Sequence, residues 1–180
     1  QIVLPTVQGF IDQRLLRPAH ERDFASLEQV GEMAFAMHDP PDAGLWEFRT
    51  RKEVHTYSAV MGWAACDRLA MTADWLGKPE RAALWRDRAD AIRATIETEA
   101  WVENGGEGGH YGASFESDYL DASLLQMVEL RFLAPDDPRF LSTFAAVEAQ
   151  LRRGDYMLRY AAEDDFGAPE TAFNVCTFWL

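Results

Sequence analysis

Residues 56–101 read TYSAVMGWAACDRLAMTADWLGKPERAALWRDRADAIRATIETEAW. Val60, Trp63, Ala64 and Met71 recur at the three- and four-residue spacing of one helix face, which predicts a helix over about 56–76. Gly77 suits the position just past that helix, where a left-handed residue closes the last turn, and Pro79 suits the first turn of the next. Trp85, Ala89, Ile92 and Ile96 then form the buried stripe of a second helix ending near Trp101. Two long amphipathic helices joined by a short turn make a helical hairpin, and the same periodicity continues on both sides.

Upstream, Phe24, Leu27, Val30, Ala34 and Met37 mark a helix from about 21 to 37. Downstream, Leu120, Leu124, Met127 and Val128 give another, and Phe140, Phe144, Val147 and Leu151 a further one with Pro138 at its first position. A last helix is expected to begin after Pro169. No segment alternates as a half-buried strand does; Leu45 to Phe48 and Tyr156 to Tyr160 are short enough to be extended but too brief for a large sheet. The fold class is all-α.

Composition narrows the function. Of 180 residues, 48% are hydrophobic and 26% charged, an ordinary globular mixture that fits a single domain over 1–180. The net charge of −13 repels phosphate backbones, so no nucleic-acid partner is expected. No apolar run approaches the roughly 18 residues that cross a bilayer, so no membrane role is expected either. Two cysteines, Cys66 and Cys176, make no disulfide framework and read as buried free thiols on apolar helical stretches. The chain starts at Gln1 and stops in the apolar run Thr177-Phe178-Trp179-Leu180 without a helix stop signal, which reads as a piece cut at both ends from a longer protein. No charged-then-apolar leader opens it, and a cytoplasmic location is the expectation.

Three long loops interrupt the helices, at about 38–49, 103–117 and 154–169. Loops of this length tend to be functional. The first sets Trp46, Glu47, Phe48 and Arg49 side by side; the second is glycine-rich and holds His110 and Tyr111; the third carries Tyr156, Arg159, Tyr160 and the run Glu163-Asp164-Asp165. Aromatic rings and carboxylates gathered in loops are what a sugar site needs, the rings for pyranose faces and the carboxylates for hydroxyls and protons.

Glu47 lies between Trp46 and Phe48, neighbours that would desolvate a carboxyl and suit it to donate a proton; the plainer reading is a surface glutamate whose neighbours pack inward. Glu170 follows Pro169 at the expected start of the last helix, where exposed amides favour the anion a general base needs; the plainer reading is a helix-stabilising first-turn acid. Asp121 reads first as a helix cap. His20, His38, His55 and His110 lack metal-ligand spacing, so no metal is expected. The chain has no Gly-x-Ser-x-Gly elbow, and Gly105-Gly106-Glu107-Gly108-Gly109 is a flexible loop, not a phosphate cradle. Trp63, Trp75, Trp85 and Trp101 stand at helical spacing and belong to the core.

Four blocks in order resemble glycoside hydrolase family 15, which contains glucoamylases, related bacterial glucohydrolases and some trehalases: Asp42-Ala43-Gly44-Leu45-Trp46-Glu47-Phe48-Arg49, His55-Thr56-Tyr57-Ser58-Ala59-Val60-Met61-Gly62-Trp63, Leu120-Asp121-Ala122-Ser123-Leu124-Leu125, and Pro169-Glu170-Thr171-Ala172-Phe173 running into Cys176-Thr177-Phe178-Trp179. The resemblance implies an (α/α)6 toroid of six helical hairpins, of which this chain supplies about half. It also implies hydrolysis of α-glucosidic bonds with inversion, Glu47 as general acid and Glu170 as general base, 6.5–9.5 Å being the usual inverting separation. By position Trp46 and Arg49 would touch the sugar, with His110, Tyr111 and Asp121 as further candidates. No cofactor is implied, and the partner is an oligosaccharide or disaccharide. Many relatives carry a basic residue in place of Ala59 and a histidine in place of Tyr57. The family's N-terminal sugar-binding residues and β-sandwich have no counterpart here, so this stretch alone is expected to be inactive.

The expected activity is therefore exo-acting release of glucose, from starch-like oligosaccharides ahead of trehalose. The competing readings are a noncatalytic helical toroid that binds sugars or a protein, and an (α/α)6 epimerase or lyase. Oligomeric state is not written in the sequence.

Overall fold

The computed structural model describes residues 2–12, 14, 19–105, 108–115 and 117–180. Gly106, Glu107 and Glu116 of the glycine-rich second loop lie outside the described residues. The long helices are α1 (Val3–Ile11), α2 (Glu21–Ala36), α3 (Thr56–Trp75), α4 (Pro79–Glu99) and α6 (Pro138–Leu151), with short helical turns α5 (Gln126–Glu129) and α7 (Asn174–Thr177). Two small antiparallel hairpins accompany them, β1 (Trp101–Glu103) with β2 (Gly109–Tyr111) and β3 (Arg152–Arg153) with β4 (Tyr156–Met157).

The chain groups into two compact units. The first comprises Gln1–Asp39 and Met61–Ala94. Its core holds Phe24 and Leu27 of α2, Leu69 and Ala73 of α3, and Trp85, Ala89 and Ile92 of α4. Glu28 accepts from the Trp85 indole Nε1 at 2.7 Å and from Arg81 Nε at 2.8 Å, so α4 is tied to α2 by a carboxylate as well as by packing. Helix α3 ends as its sequence predicts. Gly77 takes φ +68°, its N–H donates to Asp74, and Lys78 N–H donates to Ala73, which closes the orphan carbonyls of the last turn.

The second unit comprises Pro40–Val60 and Thr95–Leu180 and carries every residue of the candidate site. Helix α6 starts as expected, with Pro138 at its first position and the Asp137 carboxylate accepting from Arg139 N at 2.8 Å. Strand β2 packs on it: Tyr111 N donates to the fully buried Thr143 hydroxyl at 3.0 Å.

Four expectations are corrected. The apolar pattern from Leu120 to Val128 is not one helix but a 3-10 turn, Ala122–Leu125, running into the single turn α5. Arg131, at φ +63°, stops it there, with Arg131 N donating to Val128 and Phe132 N to Met127. The last helix begins at Asn174, not after Pro169, because Phe173 N–H is committed to the Met157 carbonyl at 2.9 Å. Leu45 to Phe48 form a turn, whereas Tyr156–Met157 are extended as β4. Trp75, read as core, is instead 60% exposed at the end of α3; helix α1 was not anticipated.

Candidate active site

The first loop is closed at its base. Asp42 N donates to the Glu53 carbonyl at 2.8 Å and Glu53 N to the Asp42 carbonyl at 3.1 Å. The Asp42 side chain accepts from Gly44 N at 2.8 Å, the bond by which aspartate starts a turn. Gly44 sits at φ +66°, and a Cβ there would lie 2.8 Å from the His55 imidazole, so this position requires glycine twice over. His55 forms the floor: it is 3% exposed and its ring stacks on Phe48 at 5.8 Å. Glu47 adopts φ +55°, a left-handed conformation that costs a side-chain-bearing residue about 1–2 kcal/mol. Phe48 is 6% exposed and Trp46 half-buried, whereas Glu47 itself is exposed. The apolar flanks pack inward and do not bury the carboxyl, so the desolvation argued from local sequence is absent.

Trp46 is fixed from below. Its Nε1 donates to Asp121 Oδ2 at 3.1 Å. The other carboxylate oxygen, Oδ1, accepts from Ser123 N at 2.7 Å and from the Ser123 hydroxyl. Asp121 is 3% exposed, and burial pushes its carboxyl above the ordinary range against the pull of the Ser123 and Trp46 donors. The plainer reading of Asp121 as a cap therefore holds, with an addition: the cap also orients an indole. Around that indole stand Tyr160, Phe173 and Trp179, their ring centroids 6.1, 6.2 and 6.2 Å away, and the Arg159 guanidinium at 5.9 Å.

The third loop fastens to the first. Asp165 Oδ2 accepts from Arg49 N at 2.8 Å and Oδ1 from the Thr50 hydroxyl. Asp164 accepts from the Tyr160 hydroxyl at 2.6 Å and from Phe166 N at 2.7 Å. Between the loops lies a cavity of about 180 Å³, lined by Trp46, Glu47, Arg49, Arg159, Tyr160 and Asp165 among others. It has an acid at its rim, cationic and anionic side chains, and aromatic walls, which suits a polyhydroxylated ligand better than an apolar one.

The structure thus brings together Trp46, Glu47, Arg49 and, beneath them, Asp121. Glu170 is exposed in an irregular stretch four residues before α7, so no helix terminus acts on it; it lies between Asp165 and Phe173, two residues by which its segment meets the first loop. His110 and Tyr111 do not join the site. They are buried in β2, where Tyr111 packs edge-on to Trp101 at 5.1 Å and His110 faces Asn104 and the Asp118 carbonyl. Arg159, Tyr160, Asp165 and Phe173 were not singled out from sequence, although the first three lie in a loop noted for its aromatics and acids; their roles follow from pairings more than 100 residues long, such as Arg49 with Asp165. Among the described residues no three His, Cys, Asp or Glu side chains converge as a metal site, and no helix is long and apolar enough to cross a membrane. Cys66 and Cys176 are buried thiols, as expected, each pushed up to about 12 by burial.

Residues 24–180 match the family described as "Glycosyl hydrolases family 15". Among curated proteins the chain is similar to a "Trehalase" of Mycobacterium tuberculosis, 39% identical over 158 residues, covering 86% of this chain and 22% of that protein. It is also similar to a "Trehalase" of Thermoplasma volcanium, 31% identical over 161 residues, covering 85% of this chain and 24% of that protein. Among solved structures it resembles a bacterial glucoamylase complexed with acarbose, with a TM-score of 0.63 and 17% identity over 83% of this chain and 27% of that one. At that identity the likeness concerns fold alone. The chain spans about a quarter of the length of these curated relatives.

Proposed function

The chain belongs to glycoside hydrolase family 15, with that family's helical (α/α)6 fold, and we propose that the complete protein hydrolyses α,α-trehalose with inversion. One observation carries the catalytic reading. Glu47 is held exposed in a strained left-handed conformation at the rim of the cavity beside Trp46, while the segment bearing Glu170 is tied to the same loop on both sides. Strain of this kind collects where geometry serves chemistry.

In the proposed reaction Glu47 gives its proton to the glycosidic oxygen as the bond to the anomeric carbon breaks. Glu170 takes a proton from the water that attacks that carbon from the opposite face, so one glucose is released with inverted configuration. Trp46, oriented by Asp121, offers a face to the pyranose ring, and Arg49 and Arg159 offer donors to its hydroxyls. Family membership leaves starch-like oligosaccharides and trehalose equally open. Relatives named trehalase at 31–39% identity support trehalose over the order read from sequence, whereas the glucoamylase likeness speaks only to architecture.

The test is glucose release from trehalose and from maltotriose by the complete protein and its Glu47→Gln variant, with anomeric configuration followed by proton NMR. The reading expects glucose from trehalose, initially half of it as the β anomer, and its loss in the variant. Retention of configuration, or an undiminished Glu47→Gln enzyme, overturns it.

A further inference from the structure

We propose that Asp165 is a positioning residue that sets where Glu47 stands relative to Glu170; this rests on the acid and base roles proposed above. Its carboxylate is a point at which the two catalytic segments meet through hydrogen bonds. One oxygen accepts from Arg49 N, in the backbone two residues after Glu47, at 2.8 Å; the other accepts from the Thr50 hydroxyl one residue further on. Five residues beyond Asp165 comes Glu170, and three beyond that Phe173, whose ring meets Trp46, the residue immediately before Glu47. The segment that carries the base is therefore fastened on both sides of Glu170 to residues on both sides of Glu47.

The two bonds call for a carboxylate. Both donors point at one side chain, and each needs its own acceptor oxygen; an amide supplies one acceptor and turns a donor toward the other. The Thr50 and Arg49 donors also hold the Asp165 carboxyl below its ordinary range, so the clamp is ionised throughout the pH range of a working enzyme. Asp164 does not duplicate it, since its oxygens are committed to Tyr160 and Phe166 within the third loop. An inverting hydrolase needs its carboxyls separated by the width of substrate plus water, and misplacement by about 1 Å costs on the order of a hundredfold in rate.

The experiment compares two substrates of the complete protein. Trehalose has a poor leaving group that needs the proton from Glu47; 4-nitrophenyl α-glucoside has a good one that needs it little. Asp165→Asn is expected to lower kcat on trehalose about 10–100-fold with KM within about threefold, and to lower kcat on the aryl glucoside several-fold less. Asp165→Glu, which keeps both acceptors, recovers part of the loss, and Thr50→Val, which removes one donor, shows the same substrate selectivity more weakly. Equal losses on the two substrates, or a change confined to KM, overturn the proposal. Where Asp165→Asn does not fold, Thr50→Val decides by the same ratio. Glu47→Gln is measured alongside: if it shows no leaving-group selectivity the acid assignment itself fails, whereas selectivity in Glu47→Gln without it in the Asp165 and Thr50 variants removes only the clamp.

Discussion

The contact between Trp46 and Asp121 yields the sharpest energetic prediction. Trp46→Phe keeps an aromatic ring among Tyr160, Phe173 and Trp179 but deletes the indole donor to Asp121 Oδ2. Oδ1 stays bonded to Ser123, so the substitution strands one oxygen of a carboxylate that is 3% exposed. A hydrogen bond to a charged group contributes about 1.5–3 kcal/mol, which sets the expected destabilisation near 2 kcal/mol. The assay is urea unfolding of the complete protein followed by circular dichroism, run as a double-mutant cycle with Asp121→Asn. Without the carboxylate, Trp46→Phe should cost less than about 1 kcal/mol, giving a coupling of about 1–2 kcal/mol. The sign with pH follows from the raised carboxyl of Asp121. Below its folded pKa the acid is neutral and has less need of the indole donor, so the cost of Trp46→Phe grows as pH rises through that value. The same cost in both backgrounds at every pH would refute the reasoning.

Further outcomes follow from single residues. Glu47→Gly should abolish turnover yet raise stability by about 1 kcal/mol, because glycine relieves the left-handed strain; a destabilised variant in the same unfolding assay would contradict this. Gly44→Ala should cost more than about 1 kcal/mol and lower kcat, since a Cβ would meet the His55 ring at 2.8 Å in an already disfavoured conformation; wild-type kinetics and melting would contradict it. In stability against pH, the raised Asp121 contributes stability that is complete below the ordinary carboxylate pKa and lost as pH rises through its folded value, so Asp121→Asn should flatten the curve on that side. Asp164 and Asp165, held low mainly by the Tyr160 and Thr50 hydroxyls, contribute in the opposite window, and their share is lost as pH falls through their folded values. A chelator should leave glucose release unchanged.

What could be read from sequence divides by the range of the interactions involved. Helices α2, α3, α4 and α6 begin and end within a residue or two of expectation because their signals are local: an apolar stripe, Gly77 in a closing turn, Pro138 after a capping Asp137. The stretch from Leu120 to Val128 misled because it is buried nearly all round, and apolar residues at helical spacing look alike in a helix and in a compact turn. Pro169 looked like a helix start, but the Phe173 amide is claimed by Met157, a partner no local pattern reveals. Trp46, Glu47 and Arg49, adjacent in a loop that sets aromatics beside charges, line one cavity, although their sugar-contact and acid roles came from the family resemblance and not from that pattern. Asp121 was legible only as a cap; its hold on Trp46 spans 75 residues. His110 and Tyr111 are buried strand residues apart from the cavity, Tyr111 bonded through its amide to Thr143 of α6 and His110 turned to Asn104 and Asp118, an address that their side-chain chemistry alone does not reveal.

A second left-handed residue gives the measure of Glu47. Arg131 adopts φ +63°, but there the conformation terminates α5: its amide and that of Phe132 close the orphan carbonyls of Val128 and Met127, an ordinary way for a helix to stop. Glu47 ends no helix. Its conformation is imposed from outside, by the Asp42–Glu53 bonds at the base of the loop, by the Trp46–Asp121 bond just before it and by the Arg49–Asp165 bond just after it. For such a position the backbone alone would favour glycine or asparagine, so the loop geometry does not explain the glutamate. A side chain that the backbone disfavours, left exposed at a charged and aromatic cavity and fixed on both flanks, is the observation on which the proposed proton donation by Glu47 rests.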